Sequence, residues 1–135
     1  MPFVLDNSVV TGWYLPDQGT PCTQAMAARL ETDRAIVPAL WQLEFANVLK
    51  TACSRGKLSP DNAKAIADTI AGLPIELDTG APPGPRHLFD LAMRYNLSSY
   101  DAAYLELALR CGLPIACQDI KLREAAAQAG VVVLS

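Results

Sequence analysis

Five short apolar runs, each separated from the next by a longer helical pattern, constrain the fold of this chain most. The runs are rich in β-branched residues and cover residues 3–5, 35–37, 74–77, 114–117 and 131–134. Strands that alternate with helices pair in parallel, because each helix carries the chain back to the starting edge of the sheet. The pattern therefore predicts an α/β fold with a mostly parallel sheet.

The helix boundaries are marked by capping residues. Thr20 precedes Pro21, Ser59 precedes Pro60, and Ser98 stands three residues before Asp101, as at helix N-termini. Two glycines, Gly112 and Gly130, are predicted to end helices just before strands. The Gly- and Pro-rich stretch 79–85 reads as a loop inside one domain, so we expect residues 1–135 to form a single domain.

Composition limits the classes of protein that the chain can represent. Apolar residues make up 51% of the chain and charged residues 19%, which excludes a disordered class and leaves a surplus of apolar surface. We therefore expect self-association or a protein partner. The net charge of −3 argues against a dense phosphate-binding surface, so a protein of this kind that handles RNA needs cations to supply positive charge.

The cysteines and the N-terminal residues bear on metal binding and location. Cys22, Cys53, Cys111 and Cys117 have no metal-ligand spacing, and the only histidine is His87, so a zinc site is not expected. Residues 1–10 lack the basic start and long apolar run of a secretory peptide, and no stretch approaches the roughly 20 apolar residues of a membrane span. We expect a cytoplasmic protein with reduced thiols.

Four carboxylates occupy positions where they could meet. Asp6 directly follows the first apolar run, and Asp119 follows the run 114–117 by two residues. In open α/β sheets, ligands bind at the carboxyl ends of the strands, where the strand order reverses. Glu44 and Asp101 each share a helix face with apolar neighbours. All four side chains could therefore converge on one edge of the sheet.

Each carboxylate also has a purely structural interpretation. Asp101 could be the acidic member of a capping box with Ser98, and Asp6 and Asp119 could be turn residues that bond local backbone N–H groups. Glu44 could snorkel to solvent or pair with a basic residue, either Lys50 or Arg94. Of the four, Glu44 is the hardest to explain without a functional role.

These positions, taken with their surroundings, resemble the PIN-domain family, and more closely its VapC-like branch. The resemblance rests on four segments, FVLDNSVV at 3–10, WQLEFANVL at 41–49, LSSYDAAYL at 97–105 and LPIACQDIKL at 113–122. The segments extend through nearly the whole chain, and the one around Asp101 is the most specific of them.

The resemblance implies a PIN-like three-layer α/β sandwich, in which helices flank a five-stranded, mostly parallel sheet. It also implies a Mg²⁺- or Mn²⁺-dependent endoribonuclease, the toxin of a toxin–antitoxin pair, in which water activated by the cation attacks a phosphodiester. Asp6 and Asp101 resemble the principal metal ligands, Glu44 and Asp119 complete the acidic set, and Ser8 supports Asp6. The implied partners are RNA, a VapB-type antitoxin and a second copy of the chain.

One position departs from the family pattern. The family often has Thr or Ser two residues before the last aspartate, where this chain has Cys117. A thiol is only a weak hydrogen-bond donor, so the hydrogen bond that the hydroxyl would make is in question.

Other side chains are candidates for RNA contacts. Six basic residues could meet the RNA backbone, although those near helix ends also suit the helix dipole: Lys50, Arg55, Lys57, Arg94, Lys121 and Arg123. Four aromatic residues could stack on bases: Trp13, Tyr14, Trp41 and Tyr100. Aromatic residues at such spacings are more often part of the core or an interface, and we favour a packing role for Trp41.

Two competing functions remain open from the sequence. An aspartate after the first strand also occurs in phosphotransferases of the haloacid-dehalogenase or receiver type, but Asn7 and Ser8 stand where those proteins need a second acidic residue. The other alternative is a non-catalytic nucleic-acid- or protein-binding module that has kept the fold. RNA binding without hydrolysis would identify the chain as such a binding module.

Overall fold

The core of the structure, a computed structural model that describes all 135 residues, is a five-stranded parallel sheet. Its strand order is β3-β2-β1-β4-β5. The strands are β1 (Phe3–Leu5), β2 (Ala35–Val37), β3 (Ile75–Leu77), β4 (Ile115–Ala116) and β5 (Val133–Leu134). The α/β class and the parallel sheet predicted from the alternating pattern are thus confirmed.

Seven α-helices connect the strands. They are α1 (Asn7–Tyr14), α2 (Pro21–Arg29), α3 (Leu40–Ser54), α4 (Pro60–Ala71), α5 (Pro85–Tyr95), α6 (Ser99–Cys111) and α7 (Ile120–Gln128). Right-handed crossovers in this strand order put α1 to α4 on one face of the sheet and α5 to α7 on the other. The contacts agree, since α1 packs on α2 and α3, α3 on α4, and α6 on both α5 and α7. The molecule therefore has three layers.

The strand order reverses next to β1. Val4 is in register with Ile36 of β2 on one side and with Ile115 of β4 on the other. The chain progresses outward from β1 to β3 in one direction and then crosses to β4 on the opposite side. The gap between β1 and β4 at their carboxyl ends is therefore the switch point where α/β proteins bind ligands.

Two prolines explain why β3 and β4 begin one residue later than predicted. Pro74 and Pro114 have no N–H to donate to a ladder. Their carbonyls still accept, at 2.9 Å each, from the backbone N–H groups of Ala35 and Val4. Pro74 and Pro114 therefore accept a hydrogen bond from the neighbouring strand but lie just before β3 and β4.

The predicted helix caps are confirmed. The side chains of Thr20, Ser59 and Ser98 accept backbone N–H bonds at the starts of α2, α4 and α6. Gly112 ends α6 at φ +65°, a left-handed conformation that glycine adopts without strain. Gly130, at φ +82°, follows the end of α7.

The core lies between the sheet and both helical layers. The residues of β1 are completely buried, as expected of a central strand, and so are Tyr104, Leu105 and Leu122. The surplus of apolar residues appears at the surface, where seven large side chains are more than 60% exposed: Met1, Leu43, Phe89, Met93, Tyr100, Ile120 and Val132. None of the helices has the length and apolar character needed to cross a membrane.

Candidate active site

Asp6 is positioned by the start of α1. It follows β1, N-caps α1 and is buried, with an exposed fraction of 6%. Its Oδ2 accepts from the Ser8 hydroxyl at 2.6 Å and from the Ser8 backbone N–H at 3.3 Å. The prediction that Ser8 supports Asp6 agrees with this geometry, and the turn role of Asp6 is real as well.

Asp119 occupies the equivalent place after the neighbouring strand. It N-caps α7, and its Oδ1 accepts from the Lys121 backbone N–H at 2.9 Å. Because β1 and β4 are adjacent and parallel, their carboxyl ends bring Asp6 and Asp119 to the same switch point. Capping and participation in the acidic pocket are therefore compatible in both residues.

Glu44 reaches the pocket from α3 and bonds to the opposite helical layer. The Tyr104 hydroxyl of α6 donates to Glu44 Oε1 at 2.6 Å. The alternative pairing of Glu44 with Lys50 or Arg94 is wrong, because Lys50 donates to Ser54 instead and the Arg94 guanidinium lies over the Tyr95 ring. A buried tyrosine hydroxyl needs an acceptor, and this acidic side chain supplies it.

Asp101 completes the acidic group from the first turn of α6. Its backbone N–H donates to Ser98 Oγ at 3.1 Å, but its carboxylate makes no return bond to the Ser98 backbone, so the capping box is only half formed. Burial raises the pKa of Asp101 to about 7, with further contributions from Asp6, Asp119 and Glu44. All four carboxylates thus lie close enough to repel one another.

The same environment raises the pKa values of two other carboxylates in the pocket, Asp6 and Glu44. Burial raises the pKa of Asp6, although the Ser8 hydrogen bonds oppose the shift. Burial also raises the pKa of Glu44, where the Tyr104 hydroxyl opposes it. The neighbouring Asp119 carboxylate adds to the raised pKa of Asp101. The pocket therefore disfavours four simultaneous negative charges, and protons or a cation would relieve the repulsion.

The donor set fits a hard divalent cation. The pocket presents only oxygen ligands, as Mg²⁺ and Mn²⁺ prefer, and no histidine or thiolate that would select zinc. No group of three or more acidic, histidine or cysteine side chains is already arranged to enclose a metal ion. Mg²⁺ commonly binds through one or two carboxylates and keeps several waters, so an open arrangement of this kind remains suitable.

Gln118 organises the pocket and was missed by sequence reasoning. Its backbone N–H donates to Ser8 Oγ at 2.9 Å, and its side-chain Nε2 donates to the Ser8 carbonyl at 3.0 Å. Its Oε1 accepts from the Thr20 hydroxyl at 2.7 Å. Gln118 thus ties the β4–α7 loop to the residue that holds Asp6. Its position beside Asp119 was the only signal available in the sequence.

Cys117 is a neutral side chain beside the pocket. It is completely buried, and burial raises the pKa of its thiol to about 12, with Asp6 and Asp119 adding to the effect. The Cys117 side chain makes no hydrogen bond to the carboxylates, whereas the Gln118 backbone N–H reaches Ser8. All four cysteines are free.

The aromatic and basic candidates fall into different environments. Trp41 stacks on Phe45 with ring centroids 5.4 Å apart, so its packing role is confirmed. Trp13 Nε1 donates to the Thr23 carbonyl, while Tyr100 is 63% exposed. Arg123 donates to the Cys117 carbonyl at 3.0 Å, which ties it to the β4–α7 connection.

Comparison with known proteins identifies relatives of the chain. No family model matches it. Ribonuclease VapC1 of two Mycobacterium tuberculosis strains is 30% identical over 89 residues. The match spans 65% of this chain and 65% of the curated relative's length.

Two solved structures share the fold over almost the whole chain. PAE2754 from Pyrobaculum aerophilum superposes with a TM-score of 0.75 at 17% identity, covering 98% of this chain and 89% of that one. FitAcB from Neisseria gonorrhoeae superposes with a TM-score of 0.61 at 17% identity, covering 100% of this chain and 97% of that one. The match to Ribonuclease VapC1 confirms the predicted resemblance to VapC-like proteins, and the two superpositions confirm the predicted α/β fold.

Proposed function

We propose that this chain is a Mg²⁺- or Mn²⁺-dependent endoribonuclease, the toxin of a VapBC-type toxin–antitoxin pair. The observation that carries the proposal is the convergence of Asp6, Glu44, Asp101 and Asp119 at the switch point of the sheet. The sequence similarity to Ribonuclease VapC1 supports RNA as the substrate. Phosphodiester hydrolysis is the reaction that an all-carboxylate pocket serves best.

Each residue of the pocket has a defined part in this proposal. Asp6 and Asp101 are the principal ligands of the cation, and Glu44 and Asp119 complete the site directly or through water. A bound divalent cation supplies charge neutralisation and Lewis acidity toward the phosphodiester. Ser8 holds the Asp6 carboxylate in place, and the Tyr104 hydroxyl does the same for Glu44.

The proposed partners are a VapB-type antitoxin and a second copy of the chain. An apolar cleft of about 380 Å³ between α3 and α4, lined by nine hydrophobic residues of ten, offers a surface for a protein segment. Phe89 and Met93, one turn apart on α5, leave a second exposed apolar area. A stable monomer at micromolar concentration in sedimentation would count against the dimer.

Cleavage assays test the activity. Purified protein is incubated with total RNA in the presence of Mg²⁺, Mn²⁺ or EDTA, and the ends of the products are mapped. We expect metal-dependent cleavage that leaves a 5′-phosphate and a 3′-hydroxyl. Asp6→Asn and Asp101→Asn are each expected to lower the rate by at least about 100-fold, because each removes a ligand charge.

A matched control separates the site from general charge effects. Asp68→Asn makes the same change at an exposed position on α4, and cleavage should be unaffected. Cleavage that persists in EDTA, or that survives Asp101→Asn, would overturn the mechanism. RNA binding without any cleavage would favour the binding-module alternative.

A further inference from the structure

A second, polar groove lies between α1 and α3. It encloses about 240 Å³, and most of its lining is polar: Thr11, Gln18, Asn47, Thr51, Arg55 and Lys57. No acidic residue lines it. The groove is therefore suited to a ligand rich in hydrogen-bond acceptors and negative charge.

The groove begins beside the acidic pocket and leads away from it. Thr11 stands one helical turn after Ser8 on α1, and Asn47 stands one turn after Glu44 on α3. Arg55, the C-cap of α3, lies eleven residues beyond Glu44, which is about 16 Å along a helix. A linear polymer with one of its units bound at the four carboxylates could therefore extend along α3 into this groove.

Three polar side chains of the groove are free to bind a ligand, whereas the Thr11 hydroxyl donates to the Asn7 carbonyl. The side chains of Asn47, Thr51 and Arg55 make no hydrogen bond or ion pair within the protein, whereas neighbouring Lys50 bonds to Ser54. Amide, hydroxyl and guanidinium groups are the donors that proteins use toward phosphate oxygens. Lys57 is engaged by Asp17, but at an exposed position where the pair is weak.

Positive charge is concentrated in the stretch of chain that contributes Arg55 and Lys57 to this groove, although the chain as a whole is acidic. Residues 50–64 contain four of the eleven basic residues and a single acidic one, Asp61. The chain as a whole carries −3. The local excess attracts a polyanion toward the end of α3 without making the entire surface basic.

We propose that the groove between α1 and α3 binds the phosphodiester backbone of single-stranded RNA, on one side of the bond that is cleaved. The inference deepens the proposed function and rests on it. Contacts to phosphate carry no base information, so this subsite binds RNA of any sequence. Arg55 and Asn47 are its principal donors, and Thr51 lies between them on the same helix.

The contrast with the other cleft favours RNA over a peptide here. The cleft between α3 and α4 is almost wholly apolar, whereas the groove between α1 and α3 is polar and flanked by cations. A protein segment would bind more favourably in the cleft between α3 and α4, because it could bury apolar side chains there. The two faces of α3 therefore suit two different ligands.

The test measures RNA binding in the non-cleaving Asp101→Asn background, with a labelled 12-nucleotide single-stranded RNA over a range of salt concentrations. Arg55→Gln should weaken binding about five- to tenfold and reduce the slope of log K against log salt by about 0.7, the value for one phosphate contact on a single strand. Asn47→Ala should weaken binding by a smaller factor.

Lys64→Gln is the matched control, because it removes the same charge from the same basic stretch outside the groove. Equal effects of Arg55→Gln and Lys64→Gln would overturn the subsite, since charge alone would then explain binding. Binding of poly-glutamate but not of RNA by the wild-type protein would also overturn the RNA subsite. Circular dichroism verifies that each variant is folded.

Kinetics separate this inference from the proposed function. In the cleaving enzyme, Arg55→Gln should raise KM several-fold and leave kcat nearly unchanged, as expected for binding that is equal in the ground and transition states. Metal-dependent cleavage with an unchanged KM in Arg55→Gln would refute the subsite alone. Arg55-dependent RNA binding without cleavage by the wild type would refute the nuclease and support the subsite.

Discussion

At the scale of single residues, local structure and the candidate chemistry use the same side chains. Asp6 and Asp119 cap the helices that follow their strands, and the same two carboxylates face the pocket that also contains Asp101. A cap fixes the rotamer of its side chain through bonds to backbone N–H groups. Each strand-end aspartate is therefore already oriented before a cation or substrate arrives.

Gln118→Leu tests how much the orientation of the Asp6 carboxylate depends on Gln118, which bonds to Ser8. The change removes the bond to the Ser8 carbonyl and leaves the Thr20 hydroxyl without its acceptor. We expect a loss of about 1–3 kcal/mol in the free energy of unfolding. Under the proposed function, we also expect a fall in cleavage rate of about 10- to 100-fold, the range for removing a group that orients a metal ligand. Urea denaturation and the RNA assay measure the two effects.

Gln128→Leu supplies the control for this experiment. Gln128 is exposed at the end of α7, so the same substitution should change stability by no more than about 0.5 kcal/mol and leave cleavage intact. If Gln118→Leu behaved like this control, Gln118 would have no part in positioning Asp6.

At the scale of elements, the sequence predicts what is local and repeated. The five strands and the caps at Thr20, Ser59 and Ser98 follow from runs and spacings within a few residues. The proximity of the strand-end carboxylates Asp6 and Asp119 also follows, because the adjacent parallel strands β1 and β4 end at one edge. Bonds between distant residues, such as Tyr104 to Glu44, depend on how the layers pack, and no sequence spacing encodes them.

The packing of α1 against α2 depends on one such distant contact. A Cβ added at Gly12 would stand 2.5 Å from Thr23 Cγ2 and 2.8 Å from the Gln18 carbonyl oxygen. Gly12→Ala should therefore destabilise the fold by about 1–3 kcal/mol, the usual cost of overpacking, as measured by thermal or urea unfolding. Gly84→Ala is the control, because a Cβ there meets nothing within 4 Å; comparable losses in both variants would contradict the steric explanation.

An ion network joins α6 to the loop after β3. Arg110 donates to Glu106 at 2.7 Å and to Asp78 at 2.6 Å, and Glu106 is only 5% exposed. Arg110→Met would leave the buried Glu106 carboxylate without its partner, at a cost of about 1–3 kcal/mol, less than for a fully buried pair because the Arg110 side chain is 35% exposed. Unfolding curves measure the loss.

The double variant Arg110→Met with Glu106→Leu distinguishes a buried charge from lost packing. Removing both charges leaves no unpaired carboxylate at the buried Glu106 position, so the double variant should recover most of the stability lost in Arg110→Met. A double variant less stable than the single one would show that the network itself contributes the stability.

At the scale of the whole molecule, charge and apolar surface are unevenly distributed. The acidic pocket lies at one edge of the sheet, the basic stretch lies at the end of α3, and the large apolar cleft lies between α3 and α4. Under the proposed function, this distribution would let a chain with a net charge of −3 bind RNA, because bound cations and the basic stretch would supply positive charge along the RNA strand.

We expect the acidic pocket to make the stability of the whole molecule depend on pH and, under the proposed function, on divalent cations. Burial and the neighbouring carboxylates raise the folded pKa of Asp101 to about 7 from an ordinary value of 3.8. The folded state therefore holds more protons than the unfolded state between these values, and stability falls as pH rises through that window. Carboxylates with lowered pKa values, such as Asp33 and Asp78, act only at lower pH.

Thermal unfolding in EDTA measures this dependence directly. We expect Tm to decrease from pH 5 to pH 8 in the wild type, and to change much less in Asp101→Asn, which cannot become charged at that position. Mn²⁺ at pH 8 should restore Tm in the wild type, because a cation bound only by the folded state shifts the equilibrium toward it, and should restore little in the variant. A Tm that rises toward pH 8 in EDTA, with no response to Mn²⁺, would mean that the four carboxylates neither repel one another nor bind the metal.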